Sequence, residues 1–180
     1  MRLLDHREGE RGAGVRGYQR VQIQSILTIE LEAFVTLLDV RAPAGRAEIG
    51  AWPDLSDPAT RIELTADAVA ALPRLQQRWH LTVEQMCGLL GGVPASTWHA
   101  WRKNPPADLG EDRLTRVSLL LGIYTALHVL HPGDLADEWV LLPNSNPVFN
   151  GRTPVETMTR GGIPAMLAVR ALLDGRRGGL

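Results

Sequence analysis

Few side chains in this sequence stand at spacings that chemistry requires. His128 and His131 lie three apart near the end of an apolar helical pattern, with Asp134 and Glu138 just beyond. Two imidazoles on one helix face suggest a metal site, but zinc takes roughly three or four protein ligands and no other histidine or cysteine gathers here. Histidines at a helix C-terminus more readily satisfy its last carbonyls and its dipole, so no metal is expected. Cys87 is the sole cysteine; it falls within an apolar helical pattern, which suits packing and not nucleophilic attack. The five histidines are scattered. No phosphate-cradling G-x-x-x-x-G-K-[ST], dinucleotide fingerprint, G-x-S-x-G elbow or H-E-x-x-H helix occurs. The expectation is a binding protein, not an enzyme, with no cofactor.

Recognition chemistry has more support. Thr82 and Gln85 form a T-x-x-Q capping box, and Val83, Met86, Cys87 and Leu90 then share one face. Gly91-Gly92 makes a sharp turn, and Pro94 falls where N1 of a following helix would lie, with that helix running to Lys103. Two short helices joined by a glycine-containing turn form a helix-turn-helix pattern. In such a unit the second helix enters the major groove. Ser96, Thr97 and His99 would then point outward toward bases, and Trp98 and Trp101 would form the inner stripe. Arg102 and Lys103 would meet phosphate at the helix end. The same spacing also fits a purely structural helix pair, including a dimer surface.

A second constellation runs from Pro143 to Gly162. Asn150-Gly151 supplies the positive φ of a tight turn. Thr153 caps a helix, Pro154 takes N1, and Glu156 at N3 completes a T-x-x-E box. Gly161-Gly162 ends that short helix in a left-handed cap. Arg152 leaves the constrained turn, so its guanidinium reaches either another molecule or the ends of neighbouring helices.

The residues Asn146, Asn150, Gly151, Arg152, Thr153, Pro154 and Glu156, written N-P-x-F-N-G-R-T-P-x-E, together with the Gly pair and a last amphipathic helix, resemble the C-terminal domain of the Xre/MbcA/ParS-like antitoxins. The likeness covers roughly Leu64 to Leu180, and the preceding helix pair resembles the Xre-type helix-turn-helix of that family. The resemblance implies an antitoxin of a type II toxin–antitoxin pair. Its cognate partner would be a RES-domain toxin that consumes NAD, whose active site the last helix and tail cover. Arg170, Arg176 and Arg177 suit carboxylates or phosphate-binding neighbours at that mouth, and the terminal carboxylate of Leu180 suits an anion site. Operator DNA is a further implied partner, with a homodimer or higher hetero-oligomer as the assembly. The alternative is a stand-alone helix-turn-helix transcriptional regulator whose C-terminal helices dimerise.

The elements that must position these residues read as all-α. The chain has 180 residues, 44% of them hydrophobic, and a net charge of −1, so any pull on nucleic acid must come from a local patch. Lys103 is the only lysine. A partly disordered extension and linker is expected over residues 1–62, because its first twenty residues bury too little apolar surface to offset ordering. Within it, Val21 to Val40 carries both alternating and helical spacing, and its length favours a helix over 21–40. Arg41 to Ile62, rich in Pro and Gly, reads as linker. A helix-turn-helix-like domain follows over 63–106, starting with a helix capped by Thr65 and interrupted at Pro73. The toxin-binding domain spans 107–180: a long helix over Glu111–His131, a short one between Asp134 and Leu142, the motif, and a helix restarted by Pro164 that stops at Gly175. The apolar run from Val117 to Leu130 is too short to cross a bilayer, which takes about 20 residues. Without an apolar leader or a disulfide framework, the expected location is the cytoplasm.

Overall fold

The computed structural model describes residues 53–131 and 133–177, with the Arg177 side chain outside the description. The expected 21–40 helix lies outside these residues. The described chain is all-helical, without strands. Its order is α1 (Pro58–Arg78), α2 (Val83–Leu89), α3 (Ala95–Trp101), α4 (Glu111–Leu130), α5 (Leu135–Glu138), a 3-10 turn (Trp139–Leu141) and α6 (Pro154–Arg177).

α1 starts earlier than Thr65. Asp57 is its N-cap, accepting the Ala59 and Thr60 amides at 3.3 and 3.1 Å, and Pro58 follows at N1. The Asp-Pro pair, read from sequence as linker, is a helix start: a side-chain acceptor for orphan amides, followed by a residue that needs no amide partner. The sequence-based boundary at residue 62 therefore falls inside α1. Pro73 does not end the helix, which runs through it to Arg78. Thr65 is instead a buried mid-helix residue. Its hydroxyl donates to the Arg61 carbonyl at 2.7 Å and accepts the Leu109 amide at 3.1 Å. With the Arg61–Asp108 ion pair at 2.9 Å, this pins the loop after α3 onto α1.

α4 is the central helix. Leu120, Ile123, Tyr124 and Leu127 are almost wholly buried on it, as expected of a helix apolar on most faces. Its most extensive contact is with α6, and it also packs on α1 and α5. α2 packs on both α3 and α6. Leu72, Leu75 and Trp79 of α1 complete one continuous core with Met86, Leu89, Trp98, Phe149, Met158, Met166 and Val169.

The helix-turn-helix unit and the motif helix thus share a core. Their contact is close: a Cβ placed on Gly88 would meet Thr159 Cγ2 at 2.8 Å, so only glycine lets α2 approach α6 at this distance.

α6 is two helical segments meeting at a kink. Gly162 has φ 61° and ψ −149°, a conformation essentially reserved for glycine. The expected left-handed cap is replaced by this bend because ψ is extended and the second segment, with Pro164 in its first turn, resumes at once. The bend folds Ala165 back over Gly161, where an added Cβ would lie 2.5 Å from the Ala165 methyl.

Candidate functional site: a helix-turn-helix face and a clamped loop

The helix-turn-helix forms as its spacing dictates. In α2 both halves of the capping box are present: the Gln85 amide donates to Thr82 Oγ1 at 3.1 Å, and the Thr82 amide to Gln85 Oε1 at 2.8 Å. Gly91 and Gly92 take φ of 86° and 80°, and the amides of Gly92 and Val93 both return to the Cys87 carbonyl. Val93 is buried and closes the turn. Burial raises the Cys87 thiol above its ordinary pKa, consistent with packing and opposed to thiolate chemistry. Pro94 is the N-cap of α3, one place earlier than the N1 expected.

Trp98 and Trp101 are buried beneath α3. Ser96, His99, Arg102 and Lys103 are exposed and Thr97 half-exposed. The outward face therefore carries the five residues named for DNA contact, with both fixed cations at the C-terminal end.

The motif is a closed loop. The Asn144 amide donates to the Arg152 carbonyl and the Gly151 amide to the Asn144 carbonyl, each at 3.1 Å. Asn146 organises the interior: its Oδ1 accepts the Val148 amide at 3.0 Å, and its carbonyl accepts the Phe149 amide at 2.9 Å. Asn150 and Gly151 turn the chain with φ of 50° and 77°. Phe149 is driven fully into the core and meets Trp139 edge-to-face at 5.6 Å. The capping box then opens α6, with Glu156 N–H to Thr153 Oγ1 at 3.1 Å and Thr153 N–H to Glu156 Oε2 at 3.0 Å. Pro154 is buried behind it.

The outcome of this clamping is to present Arg152. It is the only charged residue between Pro143 and Thr153, it is exposed, and no side-chain partner engages it among the described residues. Arg170 is placed differently. Its Nε donates to Asp174 Oδ2 at 2.8 Å and its side chain is 15% exposed, so its charge is largely spent within α6. Arg176 is exposed near the helix end; the Arg177 side chain and Leu180 lie outside the described residues.

The two histidines near the end of α4 do not act together. His128 Nδ1 donates to the Tyr124 carbonyl at 2.9 Å, and the ring lies against the Tyr124 ring with centroids 4.0 Å apart. Its Nε2 faces Asp137 Oδ1 at 3.4 Å. Asp137 is buried, and desolvation raises its pKa against the opposing pull of His128, Arg78 and His80. This polar cluster joins α1, α4 and α5. Sequence reasoning missed it because Asp137 reads as one more surface acid of a short helix.

Sequence reasoning also missed a groove between the helix-turn-helix turn and the kink of α6. Gly91, Gly92, Thr159, Arg160, Gly161 and Gly162 line it, with Arg116 across its floor. Arg116 donates to Asp112 Oδ2 at 2.7 Å and reaches the Leu89 carbonyl at 3.4 Å. The repeated Gly-Gly pairs were the available signal.

Among the described residues no helix is long and apolar enough to cross a membrane. A family model described as the antitoxin Xre-like helix-turn-helix domain matches residues 60–122, from the start of α1 to the middle of α4. The motif loop lies beyond that match. An uncharacterised protein, y4oB of Sinorhizobium fredii (strain NBRC 101917 / NGR234), is 35% identical over 107 residues, covering 59% of this chain and 81% of the relative. No solved structure matches. The Trp-backed helix pair and its double-glycine turn agree with the family match: the chain belongs to the Xre-like antitoxin helix-turn-helix family.

Proposed function

We propose that this protein is the antitoxin of a type II pair, that its C-terminal helices bind a RES-domain toxin and occlude its NAD-consuming site, and that its helix-turn-helix contacts the operator of its own operon. The observation that carries the toxin-binding half is the clamped loop. At least five backbone and side-chain bonds hold the Asn144–Glu156 segment, yet its one cation, Arg152, is left exposed. A loop held so rigidly loses little entropy when its charged group is captured by a partner. Leu167 and Arg176 on the second segment of α6 are exposed as well. DNA contact is supported by the outward placement of Ser96, Thr97, His99, Arg102 and Lys103.

The test is co-purification of the full chain with its neighbouring gene product, beside Arg152→Ala and a chain ending at Asp174. The expected result is one small partner in fixed ratio, weakened by either change while the melting temperature holds. Equal losses of co-purification and of melting temperature would sink the occlusion reading. Retention of promoter DNA with no protein partner would establish instead the stand-alone regulator.

A further inference from the structure

α3 has seven residues, about 10 Å at the helical rise, and a B-form major groove is about 12 Å wide. A recognition helix of this length places a phosphate strand near each of its ends. Its trailing end carries Arg102 and Lys103. Its leading end, Leu90-Gly91-Gly92-Val93-Pro94-Ala95-Ser96, carries no charge at all. On sequence, the unit could neutralise phosphate on one side only.

The tertiary structure supplies the missing side. The first segment of α6, packed on α2 where Thr159 meets Gly88, sets Arg160 on a groove also lined by Gly91 and Gly92, the turn leading into α3. Arg160 is exposed and forms no ion pair or hydrogen bond among the described residues. The other charges of the groove cancel, since Arg116 is held by Asp112 at 2.7 Å. Arg160 is thus the net charge of this wall. The Gly91 and Gly92 backbones bring no side chain into its way.

We infer that Arg160, from the C-terminal domain, contacts a DNA phosphate at the leading end of α3, opposite the strand met by Arg102 and Lys103. This rests on the DNA-binding half of the reading above. It makes the C-terminal domain part of the DNA interface. A carboxylate of the toxin is the competing occupant; adjacency to the turn before α3 favours phosphate, because the N-terminal residues of a recognition helix approach the bases most closely.

The experiment is fluorescence anisotropy of the full chain with two labelled duplexes, one from the promoter upstream of its own reading frame and one of scrambled sequence, across a potassium chloride series. Arg160→Gln is expected to weaken binding to both duplexes alike and to reduce the salt slope by about 0.9, the release of one phosphate's counterion. Between 50 and 200 mM salt that slope change amounts to about 3.5-fold in affinity. Arg160→Lys should keep the slope, and Arg102→Gln should reduce it by a similar amount. An unchanged slope in Arg160→Gln beside a reduced one in Arg102→Gln overturns the inference and leaves DNA binding intact. So does an unchanged slope with loosened toxin co-purification, which assigns the groove to the toxin. Absence of binding by the wild-type chain overturns both the inference and the DNA reading. Thermal melting checks that each variant is folded.

Discussion

The contact between Gly88 and Thr159 decides whether the helix-turn-helix is seated on the motif helix. Alanine at position 88 raises helix propensity by about 0.8–1 kcal/mol over glycine. Its Cβ would also meet Thr159 Cγ2 at 2.8 Å, and overpacking of this kind costs about 1–3 kcal/mol. Thr159 Cγ2 is the end of a short, β-branched side chain with few χ1 rotamers to turn into. Gly88→Ala alone is therefore expected to be neutral to destabilising, by about 0–2 kcal/mol. Thr159→Ala removes the clashing methyl and leaves the residue's Cβ at 3.8 Å from the new one, an ordinary contact. In that background Gly88→Ala should stabilise by up to about 1 kcal/mol. The sign of one substitution thus reverses with a residue in a different helix. A double-mutant cycle by urea unfolding reads this as a coupling energy of about 1–3 kcal/mol, taken from midpoints at unchanged m. Gly88→Ala having the same effect in both backgrounds would refute the packing of α2 on α6.

Two further perturbations test the caps and the buried polar cluster. Thr153→Ala removes an N-cap and should cost about 1 kcal/mol in denaturant unfolding, with the loss shared by Glu156→Ala in a non-additive way because the two form one box. Asp137 has a pKa raised by burial, so the folded state holds its proton more tightly than the unfolded chain. Its contribution is fully present below the ordinary carboxylate pKa and is lost as pH rises through the raised folded value. Asp137→Asn should therefore gain stability relative to the native chain as pH rises from about 4 to 7, a trend read by melting temperature across that range. A parallel pH dependence in both proteins would refute the assignment.

Most of the local architecture is legible in the residues themselves. The boxes Thr82–Gln85 and Thr153–Glu156 and the Asn150-Gly151 turn appear where their spacing puts them, because each is a contact within three residues and owes nothing to the rest of the fold. The Trp98–Trp101 stripe is legible for the related reason that helical period alone sorts inside from outside. The start of α1 carries a signal with two meanings. Pro58 marks a break in a linker but N1 in a helix, and only the apolar stripe of the next twenty residues distinguishes the two.

Local sequence thus sets the helices, their caps, the loop that holds out Arg152, and the resemblance of the motifs to an antitoxin. What those parts face is settled by packing. Asp137 looks like a surface acid, yet packing buries it against His128. Arg160 looks like the last residue of a short connector, yet the packing of α6 on α2 brings it to a groove beside the turn before α3. The physical reason is the same in each case. Caps and amphipathic faces are set by neighbours along the chain, whereas exposure, charge pairing and the approach of α2 to α6 depend on close packing between segments far apart in sequence.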